Sequence, residues 1–377
     1  MKKQILVLSF LLAGFANVNM SFGQAIQGSV PRVLSCTNDA LHPLAGKEYT
    51  YSVTTTPGGG QYTWWATTDP NFISTDAAGL TTTNKSTLLK SPTTSTVGTD
   101  LVTTSTSYGV TTADDNVKIT WSTNILAGTS YQGTAPAPKK PTFVAVLYTP
   151  PAASGCADNL KVYELDPKNG FTVDILNLDA AKDPIGVGAA VYDQPVSQCF
   201  ANVSSAKYNA GKMDYLYGIN TMYYEVVAAN FTGSWTPTFK LTGLDAGGKQ
   251  TAVIEWSYTK AFATATTVTV TSGSGNGTYV SPSTVSTTLS NTYGGISIFI
   301  RVTITNNSYE GLADATVRLA VDGTNAAGEL DVVNATCVTP GAADFVDYTD
   351  QVLKLRPTVT AATTSVIATN IGFIPKN

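Results

Sequence analysis

Ile296-Ser297-Ile298-Phe299-Ile300-Arg301-Val302-Thr303-Ile304-Thr305 is the stretch on which the fold turns. Ile296, Ile298, Ile300, Val302 and Ile304 share one parity, and the other parity is mostly polar. Successive side chains of a strand point to opposite faces, so the spacing predicts a long half-buried β-strand. Ala315-Thr316-Val317-Arg318-Leu319-Ala320-Val321 repeats the pattern and runs into Asp322-Gly323; Val117 to Trp121 and Phe171 to Ile175 do the same earlier. Hairpin punctuation recurs at Gly58-Gly59-Gly60, Asn169-Gly170, Gly247-Gly248 and Asn276-Gly277. No window carries an apolar stripe at helical spacing, and β-branched residues dominate. The expectation is an all-β protein of tandem antiparallel β-sandwich domains.

The 377 residues suffice for two or three domains at ~150 residues each. Two segments rhyme. Val117-Lys118-Ile119-Thr120-Trp121-Ser122 and Ala252-Val253-Ile254-Glu255-Trp256-Ser257-Tyr258 each close a unit opened by a turn and an alternating strand. With the proline-rich stretches 135–141 and 150–151, this predicts a leader over 1–23 and three sandwiches over 24–150, 151–262 and 263–377.

Charged residues make up only 13% of the chain against a globular norm of roughly 25%, and the net charge is -4. Nothing resembles a basic stripe, so nucleic acid is not an expected partner. Lys2 and Lys3, the apolar run Ile5 to Val18 and Ser21-Phe22-Gly23 have the form of a secretory signal. No stretch reaches the ~20 apolar residues of a spanning helix. An exported, extracellular, surface-associated chain without a transmembrane anchor is the expectation. In that compartment Cys36, Cys156, Cys199 and Cys337 read as disulfide candidates, with Cys156 and Cys199 the pair nearest in sequence.

Tyr62-Thr63-Trp64-Trp65, Ile119-Thr120-Trp121-Ser122 and Ile300-Arg301-Val302-Thr303-Ile304-Thr305-Asn306 resemble the Ig-like and PKD-like repeat modules of secreted Bacteroidota-type surface proteins. Ala66-Thr67-Thr68-Asp69 stands where PKD modules have a glycine-aspartate turn, so strand order stays open. The resemblance implies adhesion, spacing or assembly outside the cell and carries no catalytic residues.

Chemistry-bearing residues are sparse. His42 is the single histidine, and no Gly-x-Ser-x-Gly elbow presents a nucleophile. Glu225 and Glu255, strand glutamates beside aromatics, could form a glycosidase pair but read as solvent-facing strand positions. Asp114-Asp115-Asn116 is a weak calcium candidate that an Asx turn explains equally; no other metal site and no cofactor is expected. Trp64 and Trp65 are adjacent, so one should point outward, and with Tyr62 it could pack on a neighbouring domain, sit in a subunit contact or line a glycan platform. The C-terminal Ile367, Ile371 and Phe373 share a parity and could complete a sheet of a neighbouring copy. Together these predict a non-enzymatic structural protein whose partner is itself, in a filament, sheath or layer. The alternative is a surface adhesin or carbohydrate-binding module whose exposed aromatics meet glycans or other surface proteins.

Overall fold

The computed structural model describes residues 38–67, 72, 101–103, 111–127, 142–185, 196–270, 275–289, 292–333 and 338–359. Nineteen strands lie among them, with one helix, α1 (Thr123–Ala127), and one 3₁₀ turn. The all-β expectation holds.

The first sandwich pairs β1 (Glu48–Ser52), β5 (Asn116–Trp121) and β3 (Leu101–Thr103) in one sheet. The other contains β4 (Thr111–Thr112), β2 (Gln61–Thr67), β6 (Thr142–Thr149) and β7 (Asn159–Leu165) in that order. All pairings are antiparallel. Tyr51, Trp64, Val117, Ile119, Trp121, Val144 and Val146 fill the space between the sheets. Trp121 Nε1 donates to the Tyr51 hydroxyl at 3.1 Å, which satisfies a buried indole N–H inside that core.

The second sandwich has two sheets as well. One orders β8 (Thr172–Leu178), β11 (Lys212–Ala229), β17 (Ile296–Asn307), β13 (Thr251–Ser257) and β14 (Thr266–Val270). The other orders β9 (Val196–Cys199), β19 (Asp347–Lys354), β18 (Ala315–Asn325), β12 (Ser234–Thr242) and β15 (Gly277–Val280). The short β16 (Val285–Ser286) pairs with the start of β12. β14 joins the sheets: Thr266 to Val268 pair with β13, then Thr269 and Val270 pair with β15. A strand that changes sheets in this way makes a corner of the sandwich. The quoted stretch lies at its centre. Ile298, Ile300, Val302 and Ile304 face the core with Tyr224, Val226 and Trp256, and Phe239, Leu319 and Val321 close it from the opposite sheet.

These pairings revise the three-way division. β6 and β7 form a hairpin across residue 150, so the first unit continues to Leu165. β17 lies between β11 and β13, and β12 pairs with β18, so strands from 151–262 and 263–377 interleave around one core. Neither stretch could bury its apolar face alone. The described strands group around two main cores, one drawing on residues 45–165 and the other on residues 171–353.

The units meet through hydrogen bonds. Thr123 and Thr232 each donate their backbone N–H to the other's hydroxyl, at 2.9 and 2.8 Å. Thr292 N–H donates to Gly46 O at 3.2 Å, and the Lys47 ammonium lies 4.5 Å from the centre of the Tyr293 ring. Gly46 has a φ of +74°, and a Cβ there would overlap Thr292 Oγ1. Gly46→Val is therefore expected to part the units while leaving each core intact. Calorimetry should resolve one endotherm into two; an unchanged single transition would count against the junction as the coupling element.

Candidate functional site

β11 has 18 residues, longer than any strand beside it. At about 3.3 Å per residue it runs on the order of 55 Å. Its C-terminal half is buried between β8 and β17. Its N-terminal end leaves that sheet and pairs only with β10 (Val203–Asn209). The two are joined by Ala210 and Gly211, both at positive φ (47° and 88°), the two-residue turn whose twist matches antiparallel strands.

Register sorts the hairpin's side chains. Tyr208 opposes Met213, Ala206 opposes Tyr215 and Val203 opposes Tyr217, so these share a face that Ile219 continues. Tyr208 is 74% exposed, and Val203, Met213, Tyr215 and Ile219 are also exposed. The other face pairs Lys207 with Asp214 and Ser205 with Leu216. β10 ends its sheet, and no strand among the described residues pairs with its outer edge.

The foot of the hairpin is firmly tied. Asn220 Nδ2 donates to Cys199 O (2.9 Å), and Asn306 Nδ2 donates to Asn220 Oδ1 (2.9 Å) and Gly218 O (2.8 Å). Gln250 Nε2 donates to Asn306 Oδ1 at 2.8 Å. The Arg356 guanidinium lies 4.2 Å from the Tyr217 ring centre, and the Tyr217 and Tyr215 rings stack. Burial lowers the Arg356 pKa from its ordinary value. A buried, satisfied amide network fixes the base from which the ribbon projects.

A second feature lies on the first sandwich, at the end away from Gly46. A cavity of about 500 Å³ opens between the 52–57 loop and the β6–β7 hairpin, lined by Val53, Pro57, Tyr148, Cys156, Ala157 and Leu160. Among the described residues β1 and β7 end their sheets, and Ser52 of β1 with Asn159, Leu160, Lys161 and Tyr163 of β7 lines the opening. Tyr148 OH donates to Pro57 O and Tyr163 OH to Ser52 O, both at 2.5 Å, pinning the loop that forms one wall.

The residues singled out from sequence lie elsewhere. Trp64 and Trp65 are both 0% exposed and Tyr62 is buried, so neither tryptophan forms a platform. They do point to opposite faces, but both faces are covered: Trp64 by the sandwich core, Trp65 by Ala145, Leu147, Leu160, Val162 and Phe72. Glu225 is buried too, contrary to the solvent-facing expectation, and burial pushes its carboxyl above the usual range. Glu255 is held by Arg301 at 2.7 Å. His42 Nδ1 bonds the Asp39 carboxylate at 2.9 Å.

Asp114 and Asp115, just ahead of β5, and Asn116, its first residue, are exposed and serve the turn: Trp64 Nε1 donates to Asp114 O and Asn116 Nδ2 to Asp115 Oδ1. No cluster of three His, Cys, Asp or Glu suited to a metal occurs among the described residues. Cys156 and Cys199, two of the four disulfide candidates, are exposed free thiols. Cys156 lines the cavity of the first sandwich, and Cys199 ends β9 of the second. Cys36, Cys337, Ile367, Ile371, Phe373 and the leader lie outside the described residues.

Sequence reasoning passed over the hairpin because its turn, Asn209-Ala210-Gly211-Lys212, lacks the Asn-Gly or Gly-Gly pair read elsewhere as punctuation. The signal present was alternation without a charge on the apolar parity, Met213-Tyr215-Tyr217-Ile219.

No family model and no curated protein matches the chain. Among solved structures it is similar to the N-terminal domain of PorA, with 14% identity over 48% of this chain and 96% of that one at a TM-score of 0.22. The full-length major pilin SpaD from Corynebacterium diphtheriae aligns at 11% identity, 88% and 67% coverage and a TM-score of 0.23. The CupB6 tip adhesin from Pseudomonas aeruginosa aligns at 7%, 86% and 96%, with a TM-score of 0.22. No helix among the described residues is long and apolar enough to cross a membrane.

Proposed function

We propose that this chain is an extracellular, non-enzymatic structural subunit that associates with copies of itself at the cell surface, in a filament, sheath or layer. The observation that carries the reading is the β10–β11 hairpin. The ribbon presents Tyr208, Met213, Tyr215 and Ile219 outside both cores, beside an edge of β10 that no strand among the described residues pairs with. Soluble monomers guard such edges with charge, proline or a covering segment; here Lys207 is the one charge on β10. Clustered exposed apolar side chains mark interaction sites. Low overall charge agrees with close packing of like subunits.

Sedimentation velocity over a concentration series tests it. The chain over 24–377 is expected to associate, and Tyr208→Asp with Met213→Asp to weaken association at least about tenfold, the effect of losing one interface anchor. Compact monomer from the unaltered chain at high concentration would sink the reading. The C-terminal parity of Ile367, Ile371 and Phe373 offers another donor strand. If it joins subunits, truncation after Thr364 will abolish fibres seen by negative-stain microscopy.

A further inference from the structure

The opening between the 52–57 loop and the β6–β7 hairpin takes no part in the self-association reading. Its volume of about 500 Å³ falls inside the roughly 300–1,000 Å³ of small-molecule sites. The fold itself holds its walls. Tyr148 OH and Tyr163 OH donate to Pro57 O and Ser52 O, and the Tyr148 ring packs on Tyr62 with centroids 5.0 Å apart. Gly60 lets the loop return against Tyr148, since a Cβ there would lie 2.3 Å from Thr149 O and 2.5 Å from the Tyr148 ring. A site ordered in advance loses little conformational freedom when a ligand enters.

The lining selects among ligand classes. Ser52, Thr54 and Thr56 are exposed and bring hydroxyls that both donate and accept. Asn159 spends its Oδ1 on the Leu160 N–H at 2.8 Å, and its Nδ2 keeps two N–H donors. Lys161 is the one charged residue among those lining the opening, and its ammonium lies 5.8 Å from the Tyr163 ring centre. No carboxylate lines the opening among the described residues, so a hard cation would find no charged oxygen there. Phosphate is held by arginine forks or by clusters of backbone N–H groups; one ammonium among hydroxyls fits a single carboxylate. A wholly apolar ligand would strip water from these polar groups and give nothing back. Val53, Tyr148 and Leu160 add apolar surface between them.

We propose that this opening binds a saccharide unit bearing one carboxylate, of the uronic acid class. The Lys161 ammonium meets the carboxylate, Asn159 and the Thr54 and Thr56 hydroxyls meet the ring hydroxyls, and Val53, Tyr148 and Leu160 meet the C–H surface. The site lies on the first sandwich and the hairpin on the second, so this binding function is separate from the subunit contact.

The test is calorimetric titration of the full chain carrying Tyr208→Asp, which keeps association from contributing heat. Sodium galacturonate and trigalacturonate are the probes, with galactose and sodium acetate for comparison, at about 0.15 M salt. Galacturonate is expected to bind in the millimolar range, trigalacturonate at least as tightly, galactose about tenfold more weakly, and acetate without measurable heat. Lys161→Met should weaken galacturonate about tenfold and leave galactose unchanged, whereas Asn159→Ala should weaken both sugars. Both side chains are exposed, so denaturation midpoints measured on each variant should hold. Absence of heat with both acidic sugars, acetate binding as tightly as galacturonate, or galacturonate binding unaltered in Lys161→Met would each overturn the proposal. Self-association is decided separately, by sedimentation of the unaltered chain.

Discussion

Trp65→Ala is expected to destabilise the first sandwich by about 3 to 5 kcal/mol, the range for removing a buried large aromatic. The indole is fully buried against Ala145, Leu147, Leu160 and Val162, with Phe72 packed on the same cluster. Removing it leaves a cavity on the outer face of the β2–β6–β7 sheet, and the paired strands around it have little freedom to collapse. Its Nε1 is buried without a hydrogen-bond partner. Trp65→Phe, which deletes that donor and keeps a ring, should therefore retain most of the stability. Urea titration of the two variants measures this. A glycan-platform tryptophan would behave oppositely, losing ligand while the denaturation midpoint stayed put, so an unchanged midpoint in Trp65→Ala would restore the adhesin reading.

The second large effect is a dependence of stability on pH that runs against the usual carboxylate direction. Asp331 is 5% exposed and accepts the Gly323 N–H at 2.8 Å. Burial, followed by the charge of Asp322, raises its pKa from 3.8 to about 9, with Asp347 adding to the rise. In the folded chain Asp331 thus keeps its proton at neutral pH and shares a hydrogen bond with Asp322.

The sign follows from which state binds the proton. The folded state holds it up to about pH 9, whereas the unfolded chain releases it near 3.8. This group's contribution is complete below about pH 4 and is lost progressively as pH rises toward 9, with a slope no steeper than about 1.4 kcal/mol per pH unit. Asp331→Asn supplies a neutral donor of similar shape and should flatten the dependence, gaining stability relative to the unaltered chain most strongly above pH 7. Denaturation midpoints from pH 4 to 9 decide it; parallel curves for the two proteins would show that Asp331 is not the source.

Strand identity was legible because it is local. The alternation of Ile298, Ile300, Val302 and Ile304 predicted a strand with one core face, and those four residues line the core. The same reasoning correctly assigned the Ala315 to Val321 strand, although Val321 runs on through Asp322 and Gly323 without turning. It misjudged Phe171 to Ile175. That stretch alternates in sequence, yet β8 is buried on every residue because the sandwich lies on one side and the Phe262, Phe299 and Leu178 cluster on the other. Glu225 is buried on the same strand-covered surface, which its neighbours Tyr224 and Val226 in sequence could not disclose. The hairpin was missed for the complementary reason: its residues alternate like core strands, and only the absence of a covering layer makes them a surface.

The amino-acid sequence by itself determined that this is a β protein, which parity of each strand is apolar, and that the chain is poor in charge and in catalytic side chains. These follow from the two-residue period of a strand and from composition, both readable without knowing any contact. Tertiary structure alone decided that β17 sits between β11 and β13, that both faces of Trp65's sheet are covered, and that the two free cysteines lie on separate sandwiches. Strand pairing is a choice among distant segments with similar patterns, settled by which arrangement buries the most apolar surface while every backbone group finds a partner. No local window contains that information.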